Sequence, residues 1–201
     1  DCFLNQIHSN HIVSGSRTQT ERLIEADGIM SDEYNQNLWI YTADCMPILL
    51  ADKNKRVVAA LHCGRRGLEK NIIKILVQKF EKIGSSRKNL IVAIGPSISK
   101  KNYLVDNKTF NKFHKKINLK KLKNHENYFE KILNIRNLIT PKKQAFIELD
   151  LRKYAHMQLL NEHIPEANID ISSLCTYESD IDFSSWRRSK TSSRQWSCIC
   201  T

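Results

Sequence analysis

Two apolar runs separated by a short polar stretch constrain the fold of this chain most. They read MPILLAD and RVVAALHC within residues 46–63, and each has the length and composition of a buried strand. An antiparallel hairpin with a two-residue loop at 53–54 would place Cys45 directly opposite His62. Pro47 cannot donate to the ladder, and a bulge there would shift this register. Opposed Cβ atoms lie about 4.5–5.5 Å apart, so the hairpin predicts a thiol beside an imidazole.

This thiol–imidazole pair has three interpretations on spacing alone. Thiolate and imidazole both bind zinc, and a catalytic zinc site needs a third protein ligand, for which His8 is the first candidate and His11 the second. Without a metal, the imidazole would lower the pKa of Cys45 and make it a nucleophile. The third interpretation is a structural cysteine beside an ordinary histidine. Spacing alone favours it, because cysteine is among the most buried residue types.

The rest of the chain mixes strand-like and helix-like segments without a regular alternation of the two. Strands are predicted at 5–13, 28–32, 38–45, 89–96, 145–150, 168–177 and 194–200. Helices are predicted at 68–83, 107–117 and 151–164, with a stop at Gly84 and an N-cap at Asp150. This mixture predicts an α+β fold in which mixed β-sheets pack with flanking helices. The length of 201 residues predicts a single domain over 1–201.

The net charge of +11 permits an anionic partner, but its distribution favours none. Much of the surplus lies in the lysine-rich stretch 112–125, which lacks the interleaved aromatic residues of a nucleic-acid site and reads as a solvated helical face. No apolar run approaches the roughly 20 residues that cross a bilayer, and the first residues do not resemble a signal peptide. The six cysteines form no CxxC pair, so we expect reduced thiols and a cytoplasmic location, with neither nucleic acid nor membrane as partner.

Eight sequence blocks occur in the order in which they stand in a known family. Together they resemble the YfiH-like family, labelled laccase-type multicopper polyphenol oxidases and now regarded as zinc-dependent purine nucleoside phosphorylases. The resemblance extends over nearly the whole chain. The blocks are NQIHSNHIV, EADGIMSD, TADCMPILLAD, AALHCGRRG, IGPSISKKNYLVD, DLRKYAHMQL, CTYESD and FSSWRRSKTSSR.

The resemblance implies a metal site and an activity. The metal-binding positions of the family blocks Q-x-H, T-A-D-C and H-x-G-W-R-G correspond to His8, Cys45 and His62, which are thereby implied as metal-binding and catalytic. The implied metal is zinc, with copper less expected. The implied reaction cleaves adenosine, inosine or methylthioadenosine with phosphate, so the partners are a nucleoside and phosphate, for a monomer or homodimer. Adenosine deamination, phenol oxidation and amidase-like editing of a peptidoglycan precursor are also ascribed to the family. The implied fold is α+β, similar to a bacterial deamidating toxin.

This chain departs from the family pattern at several positions. Arg65 stands where the family has a tryptophan, Ser97 where it has a cysteine, and Ser99 and Ser193 where it has glycines. The family also begins with a segment containing a T-R-x-G-G block, which is absent from the sequence in hand. The three metal positions are retained, so these departures concern substrate choice, phosphate handling and full activity rather than metal binding.

Phosphate and substrate binding require cations and polar groups around the metal. Arginine forks match phosphate oxygens, which makes Arg66, Arg187, Arg188 and Arg194 the candidate phosphate-binding residues. Asp27, in the block EADG, is expected to line the site, although Asp-Gly is also a turn signal. The alternative for each arginine is an ordinary surface ion pair.

Three rival functions stay open on the sequence. The first is a metal-independent hydrolase that acts on an amide, with Cys45 as nucleophile and His62 as base. The second is polyphenol oxidation, which the seven scattered histidines support poorly because several copper sites would need more paired histidines. The third is a non-catalytic family member that acts as a binding partner.

Overall fold

Short strands arranged around one long hairpin form the framework of the protein. A computed structural model describes residues 1–21, 23–116 and 146–201. The strands are β1 (Ile12–Ser14), β2 (Gly28–Met30), β3 (Asn37–Thr42), β4 (Met46–Asp52), β5 (Val58–Cys63), β6 (Leu90–Ile94), β7 (Leu104–Asp106), β8 (Phe146–Glu148), β9 (Ile169–Ile171) and β10 (Gln195–Cys200). The α-helices are α1 (Gly15–Thr20), α2 (Arg65–Glu69), α3 (Ile72–Lys82), α4 (Asn107–Lys116), α5 (Leu151–Asn161) and α6 (Trp186–Ser189).

The main sheet has six strands in the order β1-β2-β5-β4-β6-β9. Its centre is antiparallel, and its two outermost pairs, β1 with β2 and β6 with β9, are parallel. Two small antiparallel sheets, β10-β3 and β7-β8, complete the described topology. The predicted α+β class with mixed sheets and flanking helices is confirmed.

Both faces of the main sheet are buried, because side chains alternate between the two faces along the central strands and each face packs in a hydrophobic core. On one face Leu61 packs in a core with Phe80 of α3 and Tyr154 of α5. On the other face Ala60, its neighbour in β5, packs in a second core with Ile40 of β3. Since successive side chains of a strand point to opposite faces, a strand covered on both sides reads as a continuous apolar run, as this hairpin does.

The hairpin forms as predicted, but its predicted register is wrong by two residues. Pro47, not Cys45, lies opposite His62. The Asp52 amide donates to the Val57 carbonyl at 3.1 Å, so the loop contains four residues instead of two. Because side chains alternate with a period of two, a two-residue shift leaves the thiol and the imidazole on the same face as diagonal neighbours.

Other predicted elements are correct in kind and differ in extent. The predicted helix 68–83 is interrupted at Asn71, whose left-handed backbone (φ 57°) separates α2 from α3. The Asp150 carboxylate accepts the Lys153 amide, which confirms the predicted N-cap of α5. The predicted strand 5–13 is a loop until Ile12, with one isolated bridge at Asn5.

Two sequence expectations concern regions that the structure covers incompletely. Of the lysine-rich stretch 112–125, residues 112–116 lie in α4, and the remainder falls outside the described residues. Among the described residues, no helix combines the length and apolarity needed to cross a membrane.

Each of the six cysteines is a free thiol that forms no disulfide bond in the structure.

Candidate metal centre

Three side chains that can bind metal meet at one end of the hairpin. His8, Cys45 and His62 each offer one ligand atom, and these atoms all lie within 4.8 Å of one another. Nε2 of His8 lies 3.9 Å from Sγ of Cys45, and the two imidazole rings are 4.7 Å apart, edge to face. His62 is buried, Cys45 is half-buried and His8 is exposed, so the group opens to solvent on the side of His8.

Two of the three candidate metal ligands, His8 and Cys45, are positioned by unusual backbone conformations. His8 itself has a left-handed backbone (φ 58°), and Asp44, which precedes Cys45, has φ 87°. Such values are uncommon outside glycine and persist where surrounding contacts hold them. Hydrogen bonds to neighbouring segments hold both residues here. The chain therefore leaves regular structure at the points where it presents the ligands.

A single buried carboxylate, Asp27, orients both histidines. It accepts a 2.7 Å hydrogen bond from Nδ1 of His62 and a 3.0 Å bond from the His8 amide. It also accepts the amides of Ile7 and Ser9 and, at 2.6 Å, the Ser9 hydroxyl. Burial alone would raise the pKa of Asp27, but the bonds to His62 and Ser9 hold it well below its usual range.

The structure therefore places Asp27 behind the ligands, where its oxygens are occupied by protein donors. Its predicted substrate-binding role is not supported by this position. Because Asp27 occupies Nδ1 of His62, Nε2 is left to face Cys45 and a metal. A carboxylate behind a ligating histidine is a common arrangement at metal sites, since it fixes the tautomer and orientation of the ring.

The charges of the metal-free group favour a thiolate. Burial would raise the pKa of Cys45, but the charge of His62 and hydrogen bonds to His62 and His8 outweigh burial and lower it to about 6. Burial lowers the pKa of His62, but the charge of Cys45 and the hydrogen bond to Asp27 raise it to about 9. Metal ions bind deprotonated thiol and neutral imidazole, so two imidazoles and an easily ionised thiol suit a metal with nitrogen and sulfur ligands.

This electrostatic arrangement predicts how Cys45 reacts with an alkylating reagent in protein from which a chelator has removed any metal. The thiolate is lost as pH falls through its pKa, so the alkylation rate of Cys45 should reach half its plateau near pH 6. A cysteine in an unstructured model peptide should do so near pH 8.5. The measurement is the rate of iodoacetamide labelling of the Cys45 peptide against pH, by mass spectrometry. A Cys45 profile that coincides with that of the model peptide would contradict the expectation.

Gly64 provides the space in which the thiol lies. A Cβ atom at this position would stand 2.6 Å from Sγ of Cys45 and 3.7 Å from Cδ2 of His8. Real Cβ atoms essentially never approach another atom as closely as the first distance, so a side chain at this position would displace the thiol. The glycine of the block HCGRRG is therefore part of the centre.

The four predicted arginines differ in what their side chains do. Arg66 is exposed. Arg188 and Arg194 are committed to main-chain carbonyl oxygens. These carbonyls belong to Thr176, Tyr177 and Phe183 for Arg188, and to Thr191 and Ser193 for Arg194. Such bonds stabilise the C-terminal loops and leave the two guanidinium groups fewer free donors for a substrate.

Arg187 is tied directly to the ligand loop. Its amide donates to Oδ2 of Asp44 at 2.7 Å, while the Thr176 hydroxyl donates to Oδ1 of Asp44 at 2.8 Å. Its guanidinium lies over the ring of Tyr103, 4.8 Å from the centroid, and Nη1 donates to the Leu104 carbonyl at 3.0 Å. Asp44 thus links the segment that carries Arg187 to the residue next to Cys45.

Sequence reasoning missed four residues that shape this centre. Ser9 and Gln6 hold the loop that carries His8, and Gln6 does so through hydrogen bonds to the main chain of Tyr41 at 2.8 and 3.0 Å. The charges of Arg65 and Cys45 both act on the Tyr103 phenol. No local periodicity identifies these residues. Arg65 differs from the family pattern, but this difference alone does not place it at the centre.

Comparison with known proteins supports the same family. The family model described as "multi-copper polyphenol oxidoreductase laccase" matches residues 1–201. A purine nucleoside phosphorylase of Synechocystis is 33% identical over 177 residues, which cover 87% of this chain and 67% of that protein. One of Rickettsia prowazekii is 35% identical over 151 residues, which cover 75% of this chain but 59% of that protein.

Solved structures show the same fold. YlmD from Geobacillus stearothermophilus superposes with a TM-score of 0.77 at 22% identity, covering 99% of this chain and 72% of that one. The hypothetical protein YfiH from Bacillus licheniformis gives a TM-score of 0.77 at 25% identity, covering 98% of this chain and 72% of that one. The predicted resemblance to YfiH-like proteins is confirmed.

Proposed function

Since the chain belongs to the multi-copper polyphenol oxidoreductase laccase family, we propose that it is a zinc-dependent purine nucleoside phosphorylase. The observation that carries the proposal is the group His8, Cys45 and His62 with Asp27 behind it. Relatives named as purine nucleoside phosphorylases support the reaction. The chain spans 67% and 59% of the lengths of those two relatives.

Zinc suits the donor set better than copper does. Zinc accepts thiolate and imidazole together, and three protein ligands with a fourth open position are typical of its catalytic sites. Among the described residues, no second group of three clustered ligands accompanies the first. Polyphenol oxidation through several coppers therefore has no support in that part of the chain. Zinc held by His8, Cys45 and His62 would supply a Lewis acid at the open side of the group.

The proposed reaction transfers a ribosyl group to phosphate. A phosphate oxygen forms a bond to C1′ of the nucleoside while the bond from C1′ to N9 breaks and its electron pair stays on the purine. The proton that HPO₄²⁻ loses ends on the departing purine. The products are the free base and ribose 1-phosphate, or 5-methylthioribose 1-phosphate when the substrate is methylthioadenosine. The chain must therefore hold phosphate beside the ribose and stabilise the negative charge of the phosphate, for which arginine is suited.

The proposal is tested with zinc-loaded protein and three substrates: adenosine, inosine and methylthioadenosine. Chromatography should detect free base and sugar 1-phosphate in equal amounts when phosphate is present and no base when phosphate is omitted. The sugar product is ribose 1-phosphate from adenosine and inosine, and 5-methylthioribose 1-phosphate from methylthioadenosine. Base released without phosphate would indicate hydrolysis, and inosine formed from adenosine would indicate deamination. The proposal fails if none of the three nucleosides releases base with phosphate.

A second candidate is a metal-independent hydrolase acting on an amide. One observation favours it: Asp27, His62 and Cys45 lie in series, with the carboxylate 2.7 Å from Nδ1 of His62. This is the order of carboxylate, base and nucleophile in cysteine hydrolases. Chelation separates the two candidates, since hydrolysis by Cys45 should continue without metal whereas phosphorolysis should stop.

A further inference from the structure

Two arginines come close to Tyr103 at the rim of the metal centre. The guanidinium carbon of Arg187 lies 4.8 Å from the centroid of its ring, and the charge of Arg65 acts on its phenol. Burial raises the pKa of the Tyr103 phenol, the charges of both arginines oppose this rise, and the charge of Cys45 adds to it. The phenol is therefore close enough to all three groups to interact with their charges.

The main chain of each arginine is anchored next to a metal ligand. Arg65 follows Gly64, whose backbone packs against Sγ of Cys45. The Arg187 amide donates to Asp44, the residue before Cys45. The main chains of the two arginines that act on Tyr103 are therefore held close to the residues of the candidate metal centre.

The charge at this rim is positive. Arg65 pairs with the nearly buried carboxylate of Glu69, and Nζ of Lys70 donates to the His8 carbonyl at 3.2 Å. With Arg187, three cations face one anion, which leaves a net charge of +2 on these four side chains. The pair with Glu69 restrains Arg65, and the guanidinium retains further N–H donors because it has five. A restrained donor loses less entropy when it binds a ligand.

We propose that Arg65, Tyr103 and Arg187 form the binding site for inorganic phosphate. The assignment rests on the proposed phosphorylase function and gives its phosphate a location. Guanidinium forks bind phosphate oxygens in pairs, and the Tyr103 hydroxyl is a further donor. In the family pattern position 65 is a tryptophan, so Arg65 supplies a phosphate contact that the pattern lacks. Arg187 keeps further N–H donors beside its bond to the Leu104 carbonyl, whereas Arg188 and Arg194 each donate to more than one carbonyl. The exposed Arg66 is not needed for the site.

The test measures phosphate binding and turnover in variants Arg65→Gln, Arg187→Gln and Tyr103→Phe. Zinc-loaded protein is titrated with inorganic phosphate alone in a calorimeter, and KM is measured separately for phosphate and inosine. Each arginine variant should raise the phosphate Kd and KM by about 10-fold or more, and Tyr103→Phe by less, since bonds between charged groups are the stronger ones. The KM for inosine and the zinc content should stay unchanged.

Arg56→Gln is the matched control. Arg56 also lies over a tyrosine ring, 6.0 Å from the centroid of Tyr34, but it belongs to the hairpin loop at the end of the strands away from the metal ligands. This variant removes the same charge and a similar contact, and its phosphate Kd should equal that of the wild type. The double variant Arg65→Gln with Glu69→Gln also removes the carboxylate that pairs with Arg65, and should show the same loss of phosphate binding.

The outcomes separate this assignment from the proposed function. One outcome is that the wild type binds phosphate but cleaves no nucleoside, while the arginine variants bind phosphate more weakly. This outcome would support the phosphate site and refute the phosphorylase function. Phosphate-dependent cleavage with unchanged phosphate constants in Arg65→Gln and Arg187→Gln would overturn the site and leave the phosphorylase standing. A loss in the Arg56→Gln control equal to that of Arg65→Gln would also overturn it, because the effect would then come from net charge alone.

Discussion

Asp27→Asn is expected to lower the zinc affinity of the protein by about 10–100-fold. The carboxylate holds both histidine ligands, through Nδ1 of His62 and through the His8 amide. An asparagine offers one acceptor oxygen, and its NH₂ group would face donors such as Ser9. The His62 ring would lose the partner that selects its tautomer, and the loop that carries His8 would loosen. The affinity is measured by competition with a chromophoric chelator.

The same substitution should destabilise the metal-free protein. A buried donor left without its partner costs about 1–3 kcal/mol, so the free energy of unfolding in denaturant should fall by this amount. Asp32→Asn is the matched control, because Asp32 also accepts an amide and a hydroxyl from one serine, Ser16, but contacts no histidine. Its zinc affinity should equal that of the wild type. Equal zinc affinities for Asp27→Asn and the wild type would refute the orienting role of Asp27.

Gly64→Ala is expected to disrupt the metal centre without unfolding the protein. The new Cβ would stand 2.6 Å from Sγ of Cys45, so the thiol has to move. Displacement of a reacting or ligating group by about 1 Å costs on the order of 10²-fold in turnover, and we expect a zinc affinity lower by at least about 10-fold. The backbone at Gly64 is extended (φ −96°), a conformation that alanine adopts freely. The free energy of unfolding of the metal-free protein should therefore change little.

Gly67→Ala in the same block provides the control for this variant. A Cβ there would meet its nearest neighbour, Cγ2 of Ile72, at 3.4 Å, which is an ordinary contact, and Gly67 lies in α2, where alanine is favoured. Its zinc affinity and turnover should match those of the wild type. If Gly64→Ala and Gly67→Ala bind zinc equally well, the close approach of Gly64 to the thiol has no functional consequence.

The hairpin shows which part of the fold could be predicted and why the rest could not. Two apolar runs of strand length identified β4 and β5, because a strand buried on both faces has no polar side. Their register depended on a loop whose length the sequence does not reveal, and the four-residue loop moved Pro47 opposite His62. The prediction that Cys45 and His62 share a site survived this error, since a shift of two residues does not change the face.

The helix after the hairpin shows the same limit. Apolar spacing predicted one helix over 68–83, and its apolar residues are buried as that spacing requires. The interruption at Asn71 is invisible to periodicity, because both short helices keep their apolar faces towards the same sheet. It matters for function, since α2 carries Arg65 on the side of the metal centre while α3 packs against the core.

By itself the sequence determined the fold class, the strands of the hairpin and, through its family blocks, the three residues that could hold a metal ion. These depend on side-chain type and short spacing, which a linear pattern contains. The tertiary structure alone decided that Asp27 holds both histidines, that Gly64 leaves room for the thiol and that Arg187 lies over Tyr103. The physical reason is that each of these contacts joins residues on different segments, whose approach is set by the register of the sheet and the packing of its loops.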